Sequence, residues 1–105
     1  MMELRPAQQC STMSELRVQI DRLDRELVKL LSKRQRYIER AAEIKSERST
    51  VRDERRIADV IAKVLAQAQE AGLRADIAEP VWRVLVERSI AYELEAFDHK
   101  HQGSK

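Results

Sequence analysis

Residues 12–45 read TMSELRVQIDRLDRELVKLLSKRQRYIERAAEIK. Apolar side chains fall at Leu16, Ile20, Leu23, Leu27, Leu30, Leu31, Ile38, Ala41 and Ile44. Steps of three and four place them on one stripe of an α-helix. Thr12 and Glu15 have capping-box spacing, in which hydroxyl and carboxylate reciprocally satisfy two N–H groups left open by the first turn. Neither Gly nor Pro interrupts the pattern before Ser49. The spacing predicts a single helix of about 35 residues, roughly 50 Å at 1.5 Å per residue.

That length bears on assembly. A compact domain of about 100 residues has a radius of gyration near ~13 Å. A helix of about 50 Å projects beyond it and leaves its apolar stripe exposed over several turns, which is unfavourable. Two copies packed together cover the stripe, so the reading predicts a homodimer with the first helix running through both halves. A kink near Arg34-Gln35-Arg36, folding the helix back within a monomer, is the other solution.

Downstream, Thr50 and Asp53 again have capping spacing, and Ile57, Val60, Ile61, Val64, Leu65 and Ala68 form the stripe of a second helix that stops at Gly72. A third helix is expected to begin between Asp76 and Pro80, proline being tolerated in a first turn. Its packed side carries Val81, Trp82, Leu85, Val86, Ser89, Ile90, Glu93, Leu94 and Phe97. The predicted class is therefore all-α, a three-helix protomer with a very long first helix. Residues 1–11 lack a period and form a flexible or loosely docked lead. Residues 12–98 are the helical domain, and 99–105 a polar, frayed tail.

Composition agrees with this class. The 105 residues suffice for one domain, and only 2 Gly and 2 Pro leave room for long elements. Aromatic residues at 4% are too few for a β-rich fold or for base-stacking platforms. The 20 basic and 18 acidic residues nearly balance, which disfavours a duplex-binding protein. The basic run Lys33-Arg34-Gln35-Arg36 is short. Cys10 has no internal disulfide partner, no run of about 18 apolar residues predicts a membrane span, and the first nine residues lack a signal-peptide core. A soluble cytoplasmic protein is expected.

The stripe of the first helix is broken by two cations. Arg34 and Lys45 stand eleven positions apart. At 100° per residue they point the same way to within about 20°. Ile38 and the small Ala41 lie between them, leaving space into which both long side chains can bend. A buried positive charge needs a partner. A small dianionic ligand meets that need; so do acids on a neighbouring helix, or escape of both side chains to the rim. On the third helix Ser89 and Glu93 stand four apart on the apolar side, and Glu93 is a candidate partner for Lys45. Arg17, about 100° around from Arg34, reads as an ordinary surface arginine by itself.

The run from Leu16 to Arg34, with Leu16-Arg17, Ile20-Asp21, Leu23-Asp24, Leu27, Leu30-Leu31 and Arg34, resembles the opening of AroQ-type chorismate mutases. Lys45 follows at the family's spacing, and Val51-Arg52-Asp53 with Arg56 is similar to its loop and second-helix start. Ser89 and Glu93 fall where its third helix carries polar contacts. The likeness covers residues 14–97. It implies an interlocked helical homodimer with two sites that rearrange chorismate to prephenate, without metal or cofactor. By that resemblance Arg34 and Lys45 bind substrate within one protomer and Arg17 reaches in from the other. Asp53 contacts the substrate, at its hydroxyl or through the backbone, Arg56 supports the site, and Ser89 lies near a carboxylate or hydroxyl. Glu93 faces the ether oxygen beside Lys45.

Three positions depart from the pattern. The loop after Lys45 is one residue shorter than in enteric relatives, Ile57 replaces a glutamate, and Glu93 replaces a glutamine that some fungal members also exchange for glutamate. The first two departures are shared with isochorismate-pyruvate lyases, which use the same scaffold. Such a lyase, making salicylate and pyruvate, is the first alternative. A non-enzymatic helical dimer, in which Arg34 and Lys45 are merely ion-paired, is the second. The rearrangement that the resemblance implies needs no nucleophile, metal or cofactor, and the sequence agrees with it: no metal-spaced His/Cys set, phosphate loop or triad is present.

Overall fold

The computed structural model describes residues 3–102. Three helices dominate: α1 over Met13–Ile44, α2 over Glu54–Ala71 and α3 over Ala75–Gln102. Short 3-10 turns occupy Ala7–Gln9 and Arg48–Thr50, and there are no strands among the described residues. The all-helical class and the long first helix are as the periodicity predicts. Arg34, Gln35 and Arg36 are all helical. The chain divides into two compact units, residues 1–36 and 37–105, and the boundary falls inside α1.

In the first unit, the lead residues are tied to α1. Thr12 Oγ1 accepts the Glu15 N–H at 3.1 Å, as a cap should. The returning carboxylate goes one residue further back than the capping box predicts: Glu15 Oε2 accepts the Ser11 N–H at 2.8 Å. The guanidinium of Arg5 lies 3.2 Å from the same oxygen, and the Arg5 N–H donates to Gln19 Oε1 at 3.0 Å. The Ser11 N–H is the main reason the Glu15 carboxyl sits below the usual carboxylate range. Ile20, Leu23, Leu27, Leu30 and Leu31 are all between 39% and 59% exposed in the single chain. A stripe of that extent is a surface that soluble monomers ordinarily cover.

The second unit holds the core. Ala42, Val51 and Phe97 are buried together, with Ile90, Leu94 and Ala96 packed against them. α2 and α3 pack on one another through a short connection. Their most buried apolar residues are Ile61 and Ala68 on α2 and Ala78 and Val86 on α3. At the end of α1 the stripe is displaced: Ala42 is buried, whereas Ile44, expected inside, is 69% exposed.

The helix ends refine the sequence reading. Thr50 does not cap α2; its hydroxyl donates to the Glu47 carbonyl at 2.7 Å within the 3-10 turn. Asp53 is the N-cap, accepting the Arg56 N–H at 3.1 Å. Gly72, at φ 77°, ends α2 in the left-handed region that an L side chain resists. Leu73 N–H reaches Ala68 O at 2.8 Å and Gly72 N–H reaches Gln69 O at 3.3 Å. This is the paired closure that satisfies the last carbonyls of a helix. α3 starts at Ala75, so Pro80 lies inside it, beyond the first turn where it was expected. Its ring removes one helical hydrogen bond there. α3 also continues past 98 to Gln102, with the His101 ring stacked on Phe97 at 3.7 Å. Residues 1–2 of the lead and 103–105 of the tail lie outside the described residues.

Candidate active site

Lys45 follows the last residue of α1, and its N–H still closes on the Ala41 carbonyl at 3.0 Å. A cation at a helix C-terminus is favoured by the partial negative charge of the open carbonyls. Its Nζ lies 2.6 Å from Glu93 Oε2 on α3. Glu93 is the only buried charged side chain among the described residues, at 5% exposure, whereas the Lys45 side chain keeps 29%. A carboxylate removed from water this far requires a charged or hydrogen-bonding partner, and Lys45 supplies both. The ammonium is thereby placed by a residue from a different helix, and its open side remains reachable.

One turn before Glu93, the Ser89 hydroxyl donates back to the Leu85 carbonyl at 2.7 Å. Ser89 is half-buried on the same side of α3 as Leu85 and Glu93. Asp53 spends one carboxylate oxygen on the α2 cap, and the Arg56 guanidinium binds Asp59 at 2.8 Å. Asp59 is held below its ordinary carboxyl range by Lys63 first, at 3.0 Å, and by Arg56. The described structure thus joins Lys45 with Glu93, and Asp53 with Arg56, within the second unit. Arg17, exposed, and Arg34, half-buried, belong to the first unit. Ile57 is half-buried on α2.

Sequence reasoning missed the residues that hold the segment between Lys45 and Asp53. Arg52 binds Glu87 of α3 through Nη1 at 3.0 Å and Nη2 at 2.8 Å, and Glu54 through Nε at 2.7 Å. The two carboxylates raise the Arg52 pKa, Glu87 foremost, and Arg52 lowers that of Glu87. Arg48 binds Asp98 through Nε at 2.9 Å and Nη2 at 3.3 Å. Tyr92 on α3 donates its hydroxyl to Glu39 on α1. Partners 35 to 53 positions apart leave no local signal. No group of three or more His, Cys, Asp or Glu among the described residues is arranged to hold a metal. No helix among them is long and apolar enough to cross a membrane.

Comparison with known proteins identifies the scaffold. The family described as chorismate mutase type II matches residues 16–94. A T-protein from Haemophilus influenzae is 36% identical over 83 residues, covering 77% of this chain and 22% of that protein. An isochorismate pyruvate lyase from Pseudomonas aeruginosa is 24% identical over 91 residues, covering 87% of this chain and 90% of the lyase. The chain thus spans about a fifth of the first relative and nearly all of the second. The matched segment takes in Arg17, Arg34, Lys45, Asp53, Arg56, Ser89 and Glu93, and the chain belongs to the AroQ-type, all-helical chorismate mutase family.

Proposed function

We propose that this protein is a cytoplasmic chorismate mutase that rearranges chorismate to prephenate as a homodimer. The observation that carries the reading is the chorismate mutase type II match over residues 16–94, and the Lys45–Glu93 pair, 2.6 Å apart at a buried carboxylate, supports it. The reaction breaks an ether C–O bond and forms a C–C bond within one molecule, with electron pairs moving around a ring. No nucleophile takes part. The protein's work is to hold the chair-like conformer and to stabilise negative charge that grows on the ether oxygen.

In this reading Lys45 donates to the ether oxygen. The bond strengthens as the C–O bond breaks, so it lowers the barrier rather than only binding substrate. Glu93 holds Lys45 in place beside the ether oxygen. Arg34 and the partner subunit's Arg17 take the two carboxylates, which the planar guanidinium fork matches with paired bonds. Asp53 receives the substrate hydroxyl with the carboxylate capacity left over from the cap, Arg56 supports it, and Ser89 turns its hydroxyl from Leu85 to the substrate. The exposed stripe Ile20, Leu23, Leu27, Leu30 and Leu31 supports the dimer, because a second copy removes that apolar surface from water.

A second reading, the isochorismate-pyruvate lyase, is favoured by the match along 90% of such an enzyme and by Ile57. Both readings use the same cations. Purified protein is incubated separately with chorismate and isochorismate, and the products are separated by chromatography. Prephenate from chorismate, lost in Arg34→Ala and Lys45→Ala, is the expected result. Salicylate formed predominantly from isochorismate moves the assignment to the lyase, and turnover of neither leaves the pocket non-catalytic. Sedimentation tests the assembly: a mass of twice the 12.2 kDa chain is expected, and a fully active monomer refutes the dimer.

A further inference from the structure

We propose that Arg52 is a positioning residue that clamps the strap between Lys45 and Asp53 onto α3. The proposal rests on the chorismate mutase reading of the site. The strap, residues 46–52, carries a site residue at each end, so its placement fixes the distance between the ammonium and the hydroxyl-binding carboxylate. Regular helix is interrupted over the strap, and only a single 3-10 turn stiffens it. Three contacts hold it down. Val51 is buried with Ala42 and Phe97. Arg48 binds Asp98, and Arg52 binds Glu87, each with two bonds.

The order of the partners along α3 is informative. Glu87 and Asp98 stand outside Ser89 and Glu93, so the two arginine bridges bracket the site residues of that helix. Of the two, Arg52 has the greater leverage. It is adjacent to Asp53, and its remaining Nε binds Glu54, the first residue of α2. One guanidinium thereby links the start of α2, where Asp53 and Arg56 act, to the helix that carries Ser89 and Glu93. Lysine cannot reproduce this, because an ammonium lacks the rigid fork that grips two oxygens at once while a third N–H reaches elsewhere.

Arg52 and Glu87 remain about half exposed, at 46% and 54% of their side chains. An exposed bridge adds little to global stability. Its effect is expected in where the strap rests, not in whether the chain folds.

The test uses the full chain and four variants: Arg52→Ala, Arg52→Lys, Glu87→Gln and the exchange Arg52→Glu/Glu87→Arg. Steady-state kinetics with chorismate and isochorismate are combined with amide exchange at Arg56, whose N–H rests on Asp53. Thermal midpoints serve as the folding control. KM is expected to rise about three- to tenfold in Arg52→Ala and Glu87→Gln, with a smaller change in kcat and a nearly unchanged midpoint. Arg52→Lys and the exchange each restore a bridge to α3 but not the fork that also reaches Glu54, so each should recover only part of the loss. Exchange at the Arg56 amide should quicken in Arg52→Ala without substrate. An active wild type whose variants keep KM within about twofold overturns the clamp and leaves the mutase reading standing. A loss of activity explained by a fallen midpoint, unrescued by the exchange, also overturns it. A wild type that turns over neither substrate overturns both the functional reading and the positioning role, even where amide exchange still responds.

Discussion

Lys45 and Glu93 lie 48 positions apart in the chain and meet with Nζ 2.6 Å from Oε2. The pair combines a nearly dry carboxylate with an ammonium that retains access to solvent. This asymmetry separates two roles that a symmetric surface bridge would blur. Glu93 fixes Lys45 from within the fold, and the Lys45 ammonium keeps a side open to solvent.

Replacement of Lys45 by Ala should therefore reduce activity and stability together. Loss of one donor to developing negative charge typically costs about 10²- to 10³-fold in kcat. Breaking a fully buried pair costs roughly 3–5 kcal/mol by stranding the other charge. The partial exposure of Lys45 reduces this to about 1–2 kcal/mol. Denaturant titration and kinetics check the two effects, and an unchanged kcat would refute the role of Lys45 at the ether oxygen.

Glu93→Gln isolates the charge of the pair. An amide oxygen can still accept from the Lys45 ammonium but carries no negative charge. The variant should therefore hold Lys45 less firmly and turn over more slowly, with a smaller loss than Lys45→Ala. A kcat equal to that of the wild type would show that the charge of Glu93 does not position Lys45.

Asp53 caps α2, and substitution can divide that duty from the proposed contact with the substrate hydroxyl. Asp53→Ala removes the α2 cap and should cost about 1 kcal/mol of stability. Asp53→Ser keeps an oxygen for the Arg56 N–H and should restore most of that stability. If the carboxylate also binds the substrate hydroxyl, KM stays high in both variants. Recovery of KM in Asp53→Ser would limit Asp53 to capping.

Acid should loosen the strap before neutral-pH stability suggests it. Arg52 holds the Glu87 carboxyl below its ordinary value of 4.5, and Arg48 holds that of Asp98 below 3.8. A carboxyl whose pKa is lower in the folded state stabilises the fold above its unfolded value. That contribution is lost as pH falls through about 4.5 and below the folded values. Thermal midpoints of the wild type should therefore decline over this acid range more than those of a variant carrying Glu87→Gln and Asp98→Asn. Parallel declines would show that these bridges carry no pH-dependent stability. Both pairs are exposed, so salt should also shrink the difference.

The sequence by itself determined the helices, because their signals are local. Three- and four-residue apolar spacing made the long α1 legible, and the stop at Gly72 follows from the left-handed backbone needed there. It also singled out candidate site residues through the stripe broken by Arg34 and Lys45 and through the family-like run from Leu16 to Arg34. Local reading faltered where two options lay within a turn of each other: Thr50 had the spacing of a cap, but Asp53 capped α2, and Ala42 was buried in place of Ile44. Only the tertiary structure decided that Arg48 and Arg52 bridge to Asp98 and Glu87, and that Glu93 is dry while Lys45 is not. Charged side chains on a helix look alike in sequence. Their burial and their partners depend on which segments fold next to them, and that information is not local.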